Sequence, residues 1–316
     1  LTLAHQLMQG YQQGTTFNHA LPSLSTMDTI YKVKGSELLI KYTYDESDNA
    51  VRIKDTNLHV MNNQAYLLAL SIKATCKHNR FAIVVDEDSE KTISKRQRQV
   101  FDHIIVIPRM EPFHNEAYAL DVTPFKETFK VESDMIIPRN IDHWWNGCRI
   151  QDVCYTSRVR DYQGRVADTR YYRKFFDANN LTDAYNGFTY FRYSRTSTEF
   201  FNNVKNVLSN WDTLHDRVLN HSIYDKPDTD VLYGLAQSLT GTPCFNKLTY
   251  PTFTHMKGAI NGWNPHMDWR DSVRWTLTNN FDFIVGGYAQ HYPFHYFQKT
   301  FCTEELVDRY EQRLGI

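Results

Sequence analysis

The pattern of apolar and polar positions is weak over residues 1–57 and sharpens from Leu58 onward. In the weak part, Leu38–Tyr44 alternates like a strand and Asp45–Asn49 reads as a turn. Beyond it, Leu58–Met61 is short and apolar, and Ala65–Thr75 carries its apolar positions on one helical face. Phe81–Val85 is a buried-strand run that arrives at Asp86–Glu87. Ser94–Val100 is a basic helical stretch, and His103–Pro108 is another strand. Phe125–Pro138 holds a third strand with an acidic break inside it. Strand, helix, strand, helix, strand at this spacing predicts βαβ units and a parallel sheet. Ligands bind such sheets at the carboxyl ends of the strands, where Asp86 and the Glu132–Asp134 pair fall.

The second half is less regular. Gly187–Tyr193 reads as a strand, Thr198–Leu208 and Asp228–Ser238 as helices, Phe281–Val285 as a short strand and Glu304–Leu314 as a C-terminal helix. No Pro/Gly/Ser-rich linker divides the chain, and no internal repeat or low-complexity tract is visible. The expected fold is α/β: a mixed, mainly parallel sheet flanked by helices, in one compact domain with insertions.

Composition narrows the function classes. Lys and Arg total 35 against 36 Asp and Glu, which argues against nucleic-acid binding by bulk charge but leaves room for a local basic patch. At 41% hydrophobic and 22% charged the chain is ordinary globular material, and its 20 Tyr and 19 Phe exceed what a core needs. The five cysteines are odd in number and none form C-x-x-C, so a reducing, cytoplasmic setting is expected and a disulfide framework or structural zinc is not. No run approaches the ~20 apolar residues of a membrane helix. No basic-then-apolar segment opens the chain, so no secretion signal is expected, and the opening Leu1 fits a trimmed start.

The acidic break, Val131-Glu132-Ser133-Asp134-Met135, carries the most chemistry. In an extended chain residues i and i+2 share a face, so Glu132 and Asp134 can converge. Two converging carboxylates call for a cation or a shared proton, and Mg²⁺ or Mn²⁺ takes oxygen ligands together with diphosphate oxygens. The bland alternative is a strand ending in a solvated turn with incidental acids.

Thr123–Trp145 (TPFKETFKVESDMIIPRNIDHWW) resembles the D-x-D segment of GT-A-fold nucleotide-sugar glycosyltransferases, in particular the glycogenin-like retaining enzymes, with Glu132 where the family has its first Asp. Tyr66–Thr75 with Arg80–Glu87 resembles that family's first helix and second strand, and Lys95–Pro108 its next helix and strand. Tyr185–Tyr193 is similar to its Asn-x-Gly strand, Thr229–Leu232 to its Asp-Gln-x-x-Leu helix start, and His255–Gly258 with Trp263 to its late His-x-x-Gly segment. The resemblance spans Leu58 to Trp263. It implies an N-terminal extension over 1–57, partly strand, and a nucleotide-sugar-binding half over 58–148. A donor-sugar and acceptor half follows over 149–265, then a C-terminal region over 266–316.

The same resemblance implies Glu132, Asp134 and His255 as ligands of Mn²⁺ or Mg²⁺. It implies Lys257 beside the diphosphate and Asp230 beside the sugar as catalytic groups. Contacts to a UDP-sugar are implied for Asn63, Tyr66, Asp86, Lys126, Asn186, Gly187 and Gly258. A divalent ion would neutralise the leaving diphosphate, and carboxylates would stabilise the oxocarbenium-like centre, with retention of configuration. Each residue has a bland counterpart: His255 as a core histidine, Asp230 as a first-turn acid, Asn186–Gly187 as a turn, Asp86 as a strand-end cap. His291 and His295 lie four apart, but Pro293 between them and the strand-like HYPFHYF argue against a helical hydrolytic metal site.

Residues 149–174 hold seven Arg or Lys against three Asp, with tyrosines interleaved. Arg158, Arg160, Arg165, Arg170, Tyr171 and Arg173 are therefore candidate acceptor contacts, since cations track phosphates and aromatics stack on bases. The alternative is an arginine-rich region that pairs with its own acids. The chain's texture resembles bacteriophage glycosyltransferases, which implies a hydroxymethylated pyrimidine in DNA as acceptor, flipped out of the duplex. Other readings are transfer to a glycan, lipid-linked sugar or protein hydroxyl, a nucleotidyltransferase, or a noncatalytic carbohydrate-binding protein.

Overall fold

In the computed structural model the described residues are 36–41, 55–76, 80–108, 114–168, 173–220, 228–241, 251–264 and 267–316. Strands β1 (Ser36–Lys41), β2 (Phe81–Val85), β3 (His103–Val106) and β4 (Glu127–Glu132) run parallel, with β1 between β2 and β4. After the two-residue β5 (Met135–Ile136), β6 (Val153–Thr156) and β7 (Tyr185–Arg192) complete the sheet. Its order is β3-β2-β1-β4-β7-β6, with β7 antiparallel to both its neighbours. The α/β class with a mixed, mainly parallel sheet is the one the sequence leads one to expect.

The parallel pairs require long crossovers, and helix α1 (Asp55–Thr75) supplies the one between β1 and β2. Every residue of β2 is buried, as an uninterrupted apolar strand covered on both faces should be. The helix begins ten residues before the expected Ala65. The strand inside the 1–57 segment turns out to be an interior strand of the sheet, so that segment contributes to the main fold. The expected turn at Asp45–Asn49 lies outside the described residues.

Two cores flank the sheet. On one side α1 packs with Phe129, Trp144, Trp145 and the C-terminal residues Phe294, Phe301 and Tyr310. On the other, helices α2 (Arg195–Ser209) and α3 (Thr229–Thr240) bury Phe200, Phe201, Val204 and Tyr233 against β6 and β7. Helix α4 (Glu304–Leu314) has the bounds read from the sequence and is anchored to α1, where the Tyr66 hydroxyl donates to Glu311 at 2.6 Å. Among the described residues no helix is long and apolar enough to cross a membrane.

The site is made by a small second sheet. After Glu132 the chain turns through Ser133–Asp134 into β5, which leaves the main sheet. Strands β8 (Thr254–His255), β9 (Trp275–Leu277), β10 (Phe283–Val285), β11 (Tyr288–Ala289) and β12 (Phe294–His295) follow in the chain. β12 pairs antiparallel with β5 and parallel with β8, while β9, β10 and β11 form a third sheet.

Candidate active site

The β5-β12-β8 sheet lies across the carboxyl end of β4 and brings together three segments far apart in sequence. His295 pairs with Met135 on one side and with His255 on the other. Tyr296 donates its backbone N–H to the Asp134 carbonyl at 3.1 Å, and Met256 donates to the His295 carbonyl at 3.0 Å. These bonds fix the backbone under each functional side chain.

Glu132, Asp134 and His295 each offer a ligand atom within 4.8 Å of the others. His295 Nε2 is 2.9 Å from Asp134 Oδ2 and 3.6 Å from Glu132 Oε2. Lys299 Nζ reaches Asp134 Oδ2 at 3.3 Å. The His255 ring lies against His295 with centroids 4.3 Å apart, and the Phe297 ring is 5.7 Å from His255. Phe297 sits at φ 62°, a left-handed conformation that costs a bulky residue about 1–3 kcal/mol. That bend lies between His295 and Lys299, the two cationic partners of Asp134.

The charges around Asp134 are set by competition. Burial alone would raise its carboxyl, but His295 and Lys299 hold it well below the usual range. Burial alone would lower His295, yet Asp134 and then Glu132 raise it. His255 falls well below the ordinary imidazole value, through burial first and then the neighbouring His295 and Lys257 charges. A neutral His255 fits the hydrogen bond its Nδ1 accepts from the Lys257 N–H at 3.2 Å, which leaves its proton on Nε2.

Two carboxylates and an imidazole suit Mn²⁺ or Mg²⁺, and without an ion the proton that His295 holds more readily there, with Lys299, stands where positive charge is wanted. His295 turns its Nε2 to both carboxylates, the nitrogen an ion between them would meet. The donor set therefore fits a divalent ion. The histidine expected among its ligands was His255. The structure brings His295 to the carboxylates instead and leaves His255 packed on it.

A second charged cluster adjoins the first. Lys130, two residues before Glu132 and fully buried, pairs with Glu116 at 2.7 Å and donates to Asn186 Oδ1 at 2.6 Å. Burial pushes its ammonium down to about 7, opposed by Glu132 and Asp230. Asp230 accepts from the Asn186 backbone N–H at 2.7 Å and from Arg173 at 3.2 Å, and Arg173 also reaches Asp183 at 3.3 Å. Asn186 Nδ2 is buried without a partner among the described residues. Gly187 is required by closeness alone, since a Cβ there would lie 2.9 Å from both Glu132 Oε2 and Met135 Cε. Asn186, Gly187 and Asp230 thus do gather beside the carboxylates. Asp230 is also a first-turn acid, in a helix capped by Asp228.

Other expected contacts are placed elsewhere. Lys126 precedes β4, whereas Glu132 ends it. At ~3.3 Å per residue that is roughly 20 Å away, too far to serve the same diphosphate. The Asn63 amide donates to Glu304 and accepts from Gln97, and Tyr66 is held by Glu311, so both tie helices together rather than face the carboxylates. Asp86 does end β2, where its side chain caps the next helix by accepting from Ser89 N–H at 2.7 Å. Gly258 is buried and opens the short Gly258–Asn261 helix just after Lys257.

Several cations of the basic segment are engaged within the fold. Arg173 is 8% exposed between two carboxylates, and its guanidinium lies 4.0 Å over the Tyr185 ring. Arg165 pairs with Asp161 at 2.8 Å. Arg160 lies 4.3 Å over Tyr292, and its carbonyl accepts from His255 N–H at 2.9 Å. Arg158 is exposed, and Arg170 and Tyr171 lie outside the described residues. The places of His295 and Lys299 beside Asp134 are not legible in the sequence. The strand character of HYPFHYF is visible there, but a two-residue strand has no period to show which strand it pairs with.

No family model matches the chain, and no curated protein matches it. Similar solved structures include mouse xyloside xylosyltransferase 1 in its apo form, 12% identical over 75% of this chain and 90% of that one, with a TM-score of 0.45. The apo WbbM bifunctional glycosyltransferase is 11% identical over 82% of this chain and 45% of that one, TM-score 0.43. The glycosyltransferase GlyE of Streptococcus pneumoniae TIGR4 is 9% identical over 71% and 48%, TM-score 0.39. This chain spans under half the length of the last two.

Proposed function

We propose that the chain is a metal-dependent glycosyltransferase that moves a sugar from a nucleotide-diphosphate donor, UDP-linked, to an acceptor hydroxyl. The observation that carries this reading is the convergence of Glu132, Asp134 and His295 at the carboxyl end of a parallel strand. Held by these three, Mn²⁺ or Mg²⁺ would supply Lewis-acid neutralisation of the departing diphosphate. The chain's own cations add to that neutralisation. Lys299, half exposed beside Asp134, and Lys257, next to His255, face the developing negative charge. Lys130 fixes the Asn186 amide through its oxygen and so leaves the Nδ2 donors for a sugar hydroxyl. Asp230, steadied by Arg173, adds a carboxylate near the oxocarbenium-like carbon.

A modified pyrimidine in DNA remains one acceptor to test, though the buried or paired state of Arg173 and Arg165 weakens its electrostatic basis. A reducing cytoplasm, that of a host if the chain is viral, suits the four described cysteines, which are free thiols.

The test is nucleoside-diphosphate release from a panel of UDP-sugars with Mn²⁺. Hydroxymethylcytosine DNA, unmodified DNA and oligosaccharides serve as acceptors, and products are read by mass spectrometry. Metal-dependent UDP release that Asp134→Asn abolishes is the expected result. Absence of release from every donor would favour the noncatalytic carbohydrate-binding reading, and pyrophosphate release from nucleoside triphosphates would favour a nucleotidyltransferase.

A further inference from the structure

An aromatic surface adjoins the histidine pair and is not used by the donor chemistry. The Tyr162 and Trp263 rings stack at 5.2 Å and 31°, and Tyr288 meets Tyr162 edge-on at 5.9 Å. Tyr288 is 46% exposed and opens β11, just after the turn from β10. Polar groups edge these rings: Gln163 Nε2 lies 3.3 Å from the Tyr162 hydroxyl and 3.4 Å from that of Tyr288.

The surface is built and held in place. Gly286, at φ +58°, lies so close to Tyr162 that a Cβ would come within 2.7 Å of the ring. Gln290 Nε2 donates to the carbonyls of both Tyr162 and Tyr288, at 2.8 and 3.0 Å. One side chain connects it to the site. Asn261 Oδ1 accepts from Tyr162 N–H at 3.0 Å, while Asn261 Nδ2 donates to the carbonyls of His255 at 2.9 Å and Lys257 at 3.0 Å.

Amphipathic rings with amide groups at their edges suit a ligand that has apolar C–H faces and hydroxyl rims. Of the nearby arginines, Arg160 lies over Tyr292 and donates to the Gly164 carbonyl and Arg165 pairs at the surface with Asp161, so the rings rather than dense positive charge dominate this surface. We infer that the Tyr162–Trp263–Tyr288 surface is the acceptor subsite and takes a neutral carbohydrate chain. This rests on the glycosyl-transfer reading for the word acceptor, but not for the carbohydrate.

The test titrates the full chain with maltohexaose, xylohexaose, chitohexaose and a 20-mer DNA, following tryptophan fluorescence. UDP release by the wild-type protein is measured in parallel. At least one oligosaccharide should bind, and Tyr288→Ala and Trp263→Phe should each weaken it, the first by about tenfold, the loss of roughly one good aromatic contact. Unfolding midpoints close to wild type show that the variants are folded. Binding of no oligosaccharide, equal binding by both variants, or variant-sensitive binding of DNA alone would overturn the inference. Variant-sensitive oligosaccharide binding without UDP release from any donor would uphold the carbohydrate surface and overturn the transferase reading.

Discussion

Lys130 and Glu132 lie two residues apart on one face of β4, yet they belong to opposite kinds of charged cluster. Around Lys130 the charges close on themselves: Glu116 answers the ammonium, and Asp183 and Asp230 answer Arg173. Around Glu132 they do not. Two carboxylates share one imidazole and one half-exposed ammonium, and a ring nitrogen of that imidazole is left without a partner among the described residues. An ion network buried in the sheet and bonded mainly to itself is scaffolding first. A cluster in which two carboxylates lean on one imidazole, with only a half-exposed lysine to help, is suited to receive a cation in place of that imidazole's proton.

The largest effect should come from opening the closed cluster. Lys130→Met takes the ammonium away from the buried Glu116 carboxylate, and breaking a buried pair in this way costs about 3–5 kcal/mol. Urea unfolding measures it. Lys130→Met with Glu116→Leu should recover most of the loss, because two apolar groups need no partners. If the single variant unfolds like wild type, the pair is not a structural element of this fold.

In the open cluster the same kind of change should act on binding. Asp134→Asn removes the charge that His295 and Lys299 share. Mn²⁺ affinity, measured by calorimetry, and metal-dependent UDP release should each fall by about 100-fold or more, since loss of an outer-shell partner already costs about 10–100-fold. An equal loss of Mn²⁺ affinity in the Lys130→Met, Glu116→Leu protein would erase the distinction between the two clusters.

Proton binding sharpens the contrast. His295 is raised by Asp134 and Glu132 against its burial, so the folded metal-free protein holds this proton more tightly than the unfolded chain. That stabilisation is complete below the unfolded value of about 6.5 and is lost as pH rises through the raised one. Asp134 is lowered, so its contribution is complete above about 3.9 and fades as pH falls toward its folded value. Thermal stability without metal should therefore decline as pH rises above about 6.5, relative to His295→Asn, by at most about 1.4 kcal/mol per pH unit. Added Mn²⁺ should reverse the decline, because the ion takes the place of the proton.

The elements that were legible in the sequence are those with enough length to show a period. β2, α3 and α4 lie where the apolar pattern puts them, and the acidic triplet falls at a strand end as expected. What escaped was contact between distant segments. β1 is an interior strand of the sheet, between β2 and β4, but its sequence neighbours carry little pattern. β8 and β12 are two residues each, and nothing local says that His255 and His295 lie side by side. The arginines of 149–174 look like a basic patch partly because some acid partners, Glu127 for Arg149 and Asp183 and Asp230 for Arg173, lie outside that window. Charge counted along the chain differs from charge in space.

The smallest effect belongs to the seam between the two clusters. Gly187 sits on β7 at φ below zero, so its need for glycine is one of room. A Cβ would come 2.9 Å from Glu132 Oε2 and from Met135 Cε, and both are side-chain ends that can move a few tenths of an ångström. Gly187→Ala should therefore cost only about 1 kcal/mol of stability, at the low end for overpacking. The Glu132 carboxylate is what must yield, and it is one of three converging ligand groups. Mn²⁺ affinity should fall by about threefold to tenfold while the Lys130–Glu116 pair, on the far side of Asn186, is undisturbed. Calorimetry with Mn²⁺ beside urea unfolding separates the two effects. A loss of stability with unchanged metal affinity would mean that Met135 gave way instead, and that Glu132 is held by something stronger than its contact with His295.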